Sequence, residues 1–118
     1  MGLTEELDAR RDEIIELMIR ANVQEDDDAA GQFRQVTVGY YTILRSAAAG
    51  DFGPRDEYLS TVIPALRQSG MPLSVIITGL VRLVVATGAA LGAEHARWLC
   101  EFLGDYTGRI LAIWEEAA

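Results

Sequence analysis

The sequence has little of the chemistry on which most enzymes and metalloproteins depend. It contains one cysteine and one histidine in 118 residues. The lone Cys100 excludes an internal disulfide. His95 has no partner at a metal-binding spacing and no neighbouring serine or cysteine nucleophile with an orienting carboxylate. A phosphate loop and a dinucleotide fingerprint are also missing. We therefore predict a protein that is not an enzyme and has no catalytic residue, metal or cofactor.

Positive charge is scarce, and lysine is missing altogether. The ten basic residues are all arginine and face eighteen acidic residues, so the net charge is −8. This excess disfavours binding to a phosphate backbone or an anionic membrane surface. Residues 1–28 hold ten of the acids, which is typical of a solvated face. We expect no nucleic-acid partner and no membrane partner.

The N-terminus lacks the basic start and the apolar run of a secretory signal peptide. Together with the single cysteine, this favours a cytoplasmic location. No linker composition interrupts the chain, and 118 residues are enough to bury a core without disulfides. We predict one domain over residues 1–118.

The dominant feature that is present is the apolar stretch from Pro72 to Leu91, whose only ionisable side chain is Arg82. One helical face is strongly apolar, at the three- and four-residue steps of a 3.6-residue period. It consists of Leu73, Ile76, Ile77, Leu80, Leu83, Val84, Thr87 and Leu91. The opposite face carries Val75, Val81, Val85 and Ala89, so we predict a central helix buried around most of its circumference. A membrane span is disfavoured, because an arginine at the bilayer centre costs about 2.5–3.5 kcal/mol.

Helical periodicity continues on both sides of this segment, and no stretch has the alternation of a strand. The first predicted helix runs from an N-cap at Thr4 to Ala21, and a loop follows over Gln24–Asp28 with Asp28 as the next N-cap. The second helix covers about Ala29–Ala49 and is stopped by Gly50, and the third runs from Pro54 to Gly70 and is kinked or divided at Pro64. The central helix then ends at Gly92, and a last helix begins at about Ala93. The fold class is therefore all-α, a bundle of about five to six helices. Gly39 lies inside the second helix at a cost of about 1 kcal/mol relative to alanine, which suggests a close helix crossing.

Glycines four residues apart, Gly104 and Gly108, make a smooth patch on the last helix. This patch and the second apolar face of the central helix leave more apolar surface than a monomer should expose. We predict a homodimer, with the last helix as the first choice for the interface. The interface residues would be Gly104, Gly108, Ile110 and Trp114.

A family resemblance covers the segment from Tyr40 to Glu116. It rests on the stretches YYTILRSAAAGDF, VIPALRQSGMPLSVIITGLVRLVVATG and WLCEFLGDYTGRILAIWEE, and above all on Leu66-Arg67-Gln68-Ser69-Gly70 followed by an apolar helix. These resemble the N-terminal sensor domain of RsbR-type stressosome proteins, the RsbT co-antagonists. Arg67 and Gly70 are the motif residues.

The resemblance implies a globin-like fold without haem that forms dimers and serves as the signal-input domain of a bacterial stress-signalling complex. Its partners would be RsbR paralogues and RsbS-like proteins. In this family a linker and a STAS domain follow, and neither is present in this sequence. The alternative is a free-standing relative, similar to small sporulation-inhibitory sensor domains that bind a fatty acid in a globin-like pocket.

Arg82 is the candidate residue for meeting the carboxylate of such a ligand, with Tyr40 or Tyr106 as hydroxyl partners. If there is no ligand, we expect Arg82 to pair with Asp105 or Glu101, or to lie at the surface with its stem on apolar neighbours.

Overall fold

The computed structural model describes the backbone of residues 2–22 and 27–116. Within these ranges it describes every side chain except those of residues 21–33. The elements are α1 (Leu3–Ala9), α2 (Arg11–Asn22), α3 (Asp27–Ala48), α4 (Gly53–Glu57), a π-helical turn (Tyr58–Val62), α5 (Ile63–Gln68), α6 (Leu73–Leu91), a 3-10 turn (Ala93–His95) and α7 (Ala96–Glu116). The π turn joins α4 and α5 into one rod, and the 3-10 turn leads directly into α7. The described part of the chain therefore forms six helices and no strand, which confirms the all-α prediction.

The N-terminal region forms two helices where one was predicted. The helix breaks at Arg10, and Thr4 lies inside α1 rather than at its N-cap, which is Gly2. The Tyr41 hydroxyl donates to the carbonyl of Leu7 and so fastens α1 to α3. Burial raises the pKa of Tyr41 to about 12, so it stays a donor through the physiological range.

A salt bridge makes a second link between α1 and α3. Arg45 donates Nε and Nη2 hydrogens to the two carboxylate oxygens of Asp8, at 2.7 and 3.0 Å. This hydrogen bonding lowers the pKa of Asp8. Further along the chain, α3 begins at Asp27, one residue before the predicted N-cap. The predicted loop residues 24–26 and the side chains of Ala21 and Phe33 lie outside the described residues.

Glycine ends the remaining helices as predicted, and proline marks a local irregularity. Pro64 has no N–H to donate to the carbonyl of Ser60, and the π turn lies just before it, so the rod changes its helical type there but is not divided. The helices that precede Gly50, Gly70 and Gly92 all end at these glycines, whose φ angles are +85°, +85° and +81°.

The central helix α6 is buried on one side only. Every residue of its predicted apolar face is buried or half-buried, and this face packs against α2 and α7. On the other side Val75 is 53% exposed and Val85 is 64% exposed. The prediction that α6 is buried around most of its circumference is therefore wrong for the single chain, because no described element covers this face.

The composition of α6 would also suit a membrane. Leu73–Leu91 is long and apolar enough to span one, with a mean hydropathy of 2.0 over its best window. Only 28% of that window is buried. One apolar face of α6 packs in a helical bundle, which supports its interpretation as a core helix of a soluble protein. Packing within the chain does not account for the exposed face.

Candidate ligand cavity

A cavity of about 460 Å³ lies between α3, the rod formed by α4, the π turn and α5, and the first turns of α6. Its lining is almost wholly apolar. The lining residues are Met18, Val36, Gly39, Tyr40, Ile43, Tyr58, Val62, Leu66, Met71, Val75, Ile76 and Gly79. None of these carries a charge, and the only side-chain oxygens are the two tyrosine hydroxyls.

Two glycines leave room for the cavity. A Cβ added at Gly39 would meet nothing within 4 Å, so the predicted close helix crossing at Gly39 is wrong and its cost is not compensated by packing. Gly79, by contrast, lies beside the ring of Tyr40. A Cβ there would lie 3.7 Å from the ring of Tyr40, which is an ordinary van der Waals contact.

The polar end of the cavity is a pair of hydrogen-bonded tyrosines. The Tyr58 hydroxyl donates to the Tyr40 hydroxyl at 3.1 Å, and the ring centroids are 5.7 Å apart. Burial raises the pKa of Tyr58, and the neighbouring Tyr40 raises it further, so Tyr58 is uncharged at neutral pH. Because Tyr58 donates, the hydrogen of the Tyr40 hydroxyl is available to a polar group in the cavity.

The mouth of the cavity is apolar as well. Val36, Val62, Met71 and Val75 line it and are each at least 36% exposed. Val75 belongs also to the uncovered face of α6. The cavity mouth and that helix face therefore meet at Val75.

The structure brings only one of the three predicted ligand residues into the cavity. Tyr40 lines it. Tyr106 is fully buried behind Tyr58, with ring centroids 6.4 Å apart, and its hydroxyl has no hydrogen-bond partner among the described residues. Arg82 is exposed on α6 and is not a lining residue. It lies two helical turns, or about 10 Å along the axis, beyond Val75.

The ion pair of Arg82 with Asp105 or Glu101, one of two alternatives predicted for a chain without a ligand, does not form. Asp105 accepts hydrogen bonds from Arg55 and Arg109, each at 3.0 Å, and Glu101 accepts one from Arg97 at 3.2 Å. Arg82 forms no ion pair within the described residues and lies at the surface, which was the remaining alternative.

Sequence reasoning missed Arg55 and Tyr58. Arg55 is 8% exposed, joins Asp56 and Asp105 at 3.0 Å, and lies over the ring of Phe52 at 4.4 Å. Nothing in the sequence pairs it with Asp105, which lies 50 residues away. Tyr58 fits the periodicity of a core position, so only the general need of a buried tyrosine hydroxyl for a hydrogen-bond partner points to it.

The family-motif residues have structural contacts. The Arg67 guanidinium lies over the ring of Trp114 at 5.1 Å, so it ties the end of α5 to the end of α7. Gly70 ends α5 in a conformation that favours glycine.

The predicted dimer residues on α7 divide into two groups. Ile110 is 1% exposed in the core of the single chain, so its side chain cannot contact a partner, and its assignment to the interface is corrected. Trp114 is half-buried. Gly104 and Gly108 are exposed, and a Cβ added at either would meet nothing within 4 Å. Both glycines are therefore accessible to a partner, and the uncovered face of α6 is a second candidate for the interface.

Comparison with known proteins found no matching family model, no matching curated relative and no matching solved structure.

Proposed function

We propose that this chain is a non-catalytic binding module whose cavity takes one apolar chain, such as the acyl chain of a fatty acid. The observation that carries the proposal is the 460 Å³ cavity with its uncharged lining. Small-molecule sites occupy about 300–1,000 Å³, are mostly apolar and hold a few fixed polar groups. The cavity meets each of these criteria, with Tyr40 and Tyr58 as the polar groups.

The lining favours binding over catalysis. Among the described residues it offers no carboxylate, imidazole, thiol or ammonium group that could act as a general acid, a base or a nucleophile. A bound chain would cover the exposed side chains of Val36 and Val62 and bridge α3 to the rod. Binding would thus change how these elements are held together, which is what a signal-input domain requires.

A series of linear alcohols and fatty acids of increasing length tests this proposal. Each methylene group that enters the cavity contributes about 0.8 kcal/mol, so two added carbons should lower the Kd about 15-fold until the cavity is full. Calorimetry measures the Kd values, and native mass spectrometry of freshly purified protein detects a chain that has co-purified. A Kd that does not depend on chain length would contradict binding in the cavity.

We also propose that the chain is a homodimeric signal-input domain of a bacterial stress-signalling complex, with a globin-like arrangement of helices. This proposal rests on the resemblance to RsbR-type sensor domains, and RsbR paralogues and RsbS-like proteins would be its partners. The uncovered face of α6 favours it. This face exposes three valines, Val75, Val81 and Val85, which a second helix could cover.

We expect the dimer to form through α6 rather than α7. Val85→Asp would bury a carboxylate in that interface, so it should raise the dimer Kd at least tenfold by sedimentation equilibrium. The matched control is Leu111→Asp, at an apolar residue of α7 that is 41% exposed. If only Leu111→Asp separates the subunits, the interface lies on α7. A wild-type protein that stays monomeric at all accessible concentrations would contradict a dimer through α6 as well as a dimer through α7.

A further inference from the structure

His95 lies beside two glutamates, although the residues around it in the sequence offer no recognisable metal motif. Its Nε2 atom is 2.5 Å from Oε2 of Glu6. One ligand atom each from Glu6, Glu94 and His95 lies within 4.8 Å of the others. The side chains of Glu6 and His95 are only 21% and 14% exposed. Glu6 is 89 residues from His95, which is why spacing along the chain could not predict this cluster.

The cluster carries negative charge that no nearby arginine neutralises. Ion pairs with arginine hold the neighbouring acids of α1 and α2, including Asp8, Asp12 and Glu13. Within the described residues, Glu6 pairs with His95 alone, and Glu94 has no ion-pair partner. Two carboxylates beside one imidazole keep a net negative charge whether or not the imidazole is protonated. A bound cation would neutralise this charge.

We propose that Glu6, Glu94 and His95 bind a divalent transition metal, with Zn²⁺ as the best fit. Zinc accepts imidazole nitrogen and carboxylate oxygen at about 2.0–2.2 Å, whereas calcium and magnesium prefer oxygen ligands alone. Ligand atoms around a tetrahedral zinc lie roughly 3.3 Å apart at those bond lengths. Glu6 and His95 would therefore separate by less than about 1 Å, and the exposed Glu94 would move inward. A water molecule would complete the four ligands.

Such a site would fasten two parts of the chain that are far apart in sequence. Glu6 belongs to α1, whereas Glu94 and His95 form part of the 3-10 turn between α6 and α7. The metal would hold the N-terminal helix against this corner of the bundle.

The test is calorimetric titration of chelator-treated full chain with ZnCl₂, in a Cys100→Ser background because the exposed thiol of Cys100 is itself a zinc ligand. We expect saturable binding of one zinc per chain and a higher melting temperature with zinc. Changing a residue that only supports a metal ligand typically costs 10–100-fold in affinity. Removing a ligand should cost at least as much, so Glu6→Gln, Glu94→Gln and His95→Gln should each weaken binding at least tenfold.

Glu13→Gln is the matched control, since Glu13 is an exposed acid that pairs with Arg10 and lies outside the cluster. It should bind zinc like the parent. Glu94→Gln keeps the test valid if the other two variants unfold, because Glu94 is exposed and forms no hydrogen bond among the described residues. Absence of saturable binding in the Cys100→Ser protein would overturn the proposal. So would binding that is unchanged in a folded Glu94→Gln or His95→Gln protein.

Discussion

Leu83→Ala is expected to lower the free energy of unfolding by about 2–5 kcal/mol, whereas Val85→Ala should change it by less than about 0.5 kcal/mol. The two residues are two positions apart on α6. Leu83 is fully buried, so its truncation removes apolar contacts and leaves a cavity. Val85 is 64% exposed and loses little contact within the chain. Urea denaturation followed by circular dichroism measures both values.

The loss of unfolding free energy caused by Val85→Ala should also depend on the protein concentration. If a second copy covers this face, truncation of Val85 should cost more at protein concentrations above the dimer Kd, because association stabilises the folded state. The Leu83→Ala effect should stay large at every concentration. A Val85→Ala cost as large as that of Leu83→Ala in the dilute monomer would contradict the one-sided burial of α6.

Gly39→Leu should abolish most of the binding of a long-chain ligand while the protein stays folded. Gly39 is exposed at the cavity wall and nothing lies within 4 Å of the added Cβ, so a leucine side chain that turns into the cavity would take the space of about four carbons. Losing the burial of four methylene groups costs about 3 kcal/mol, which raises the Kd more than 100-fold. The variant should also gain about 1 kcal/mol of stability, because glycine is unfavourable inside a helix.

Gly104→Leu is the control for this experiment. Gly104 is likewise a helix-interior glycine with no atom near the added Cβ, but it lies on α7 away from the cavity. It should gain similar helix stability and keep the wild-type Kd. If Gly39→Leu binds a long-chain ligand as tightly as Gly104→Leu does, the ligand does not occupy this cavity.

Local rules predicted the elements of the fold well. The stops at Gly70 and Gly92 depend on backbone conformation alone, and the irregularity near Pro64 follows from a missing N–H, so both can be read from sequence. The buried face of α6 also follows from its period. Whether the opposite face is covered depends on how many other helices reach it, and periodicity carries no such information.

The candidate site was less accessible to sequence reasoning because it is made by distant residues. Tyr40 and Tyr58 meet across two helices, and Gly39 borders the cavity only because no side chain from another element fills the space beside it. Arg82 is the one charge in an apolar run. A long side chain near the surface needs no partner, so this position was a poor guide to a site.

The π turn at Tyr58–Val62 has a consequence for the angular register of the rod that contains it. Each α-helical residue advances about 100° around the axis, so the twelve steps from Arg55 to Arg67 would leave the two side chains roughly 120° apart on a regular helix. A π turn absorbs about one residue without that advance, which reduces the offset to roughly 20°. Both arginines can then face α7, where Arg55 reaches Asp105 and Arg67 reaches Trp114. The same turn supplies Tyr58 and Val62 to the cavity wall. If the π turn changed its helical register, one of the two arginines would therefore rotate away from α7.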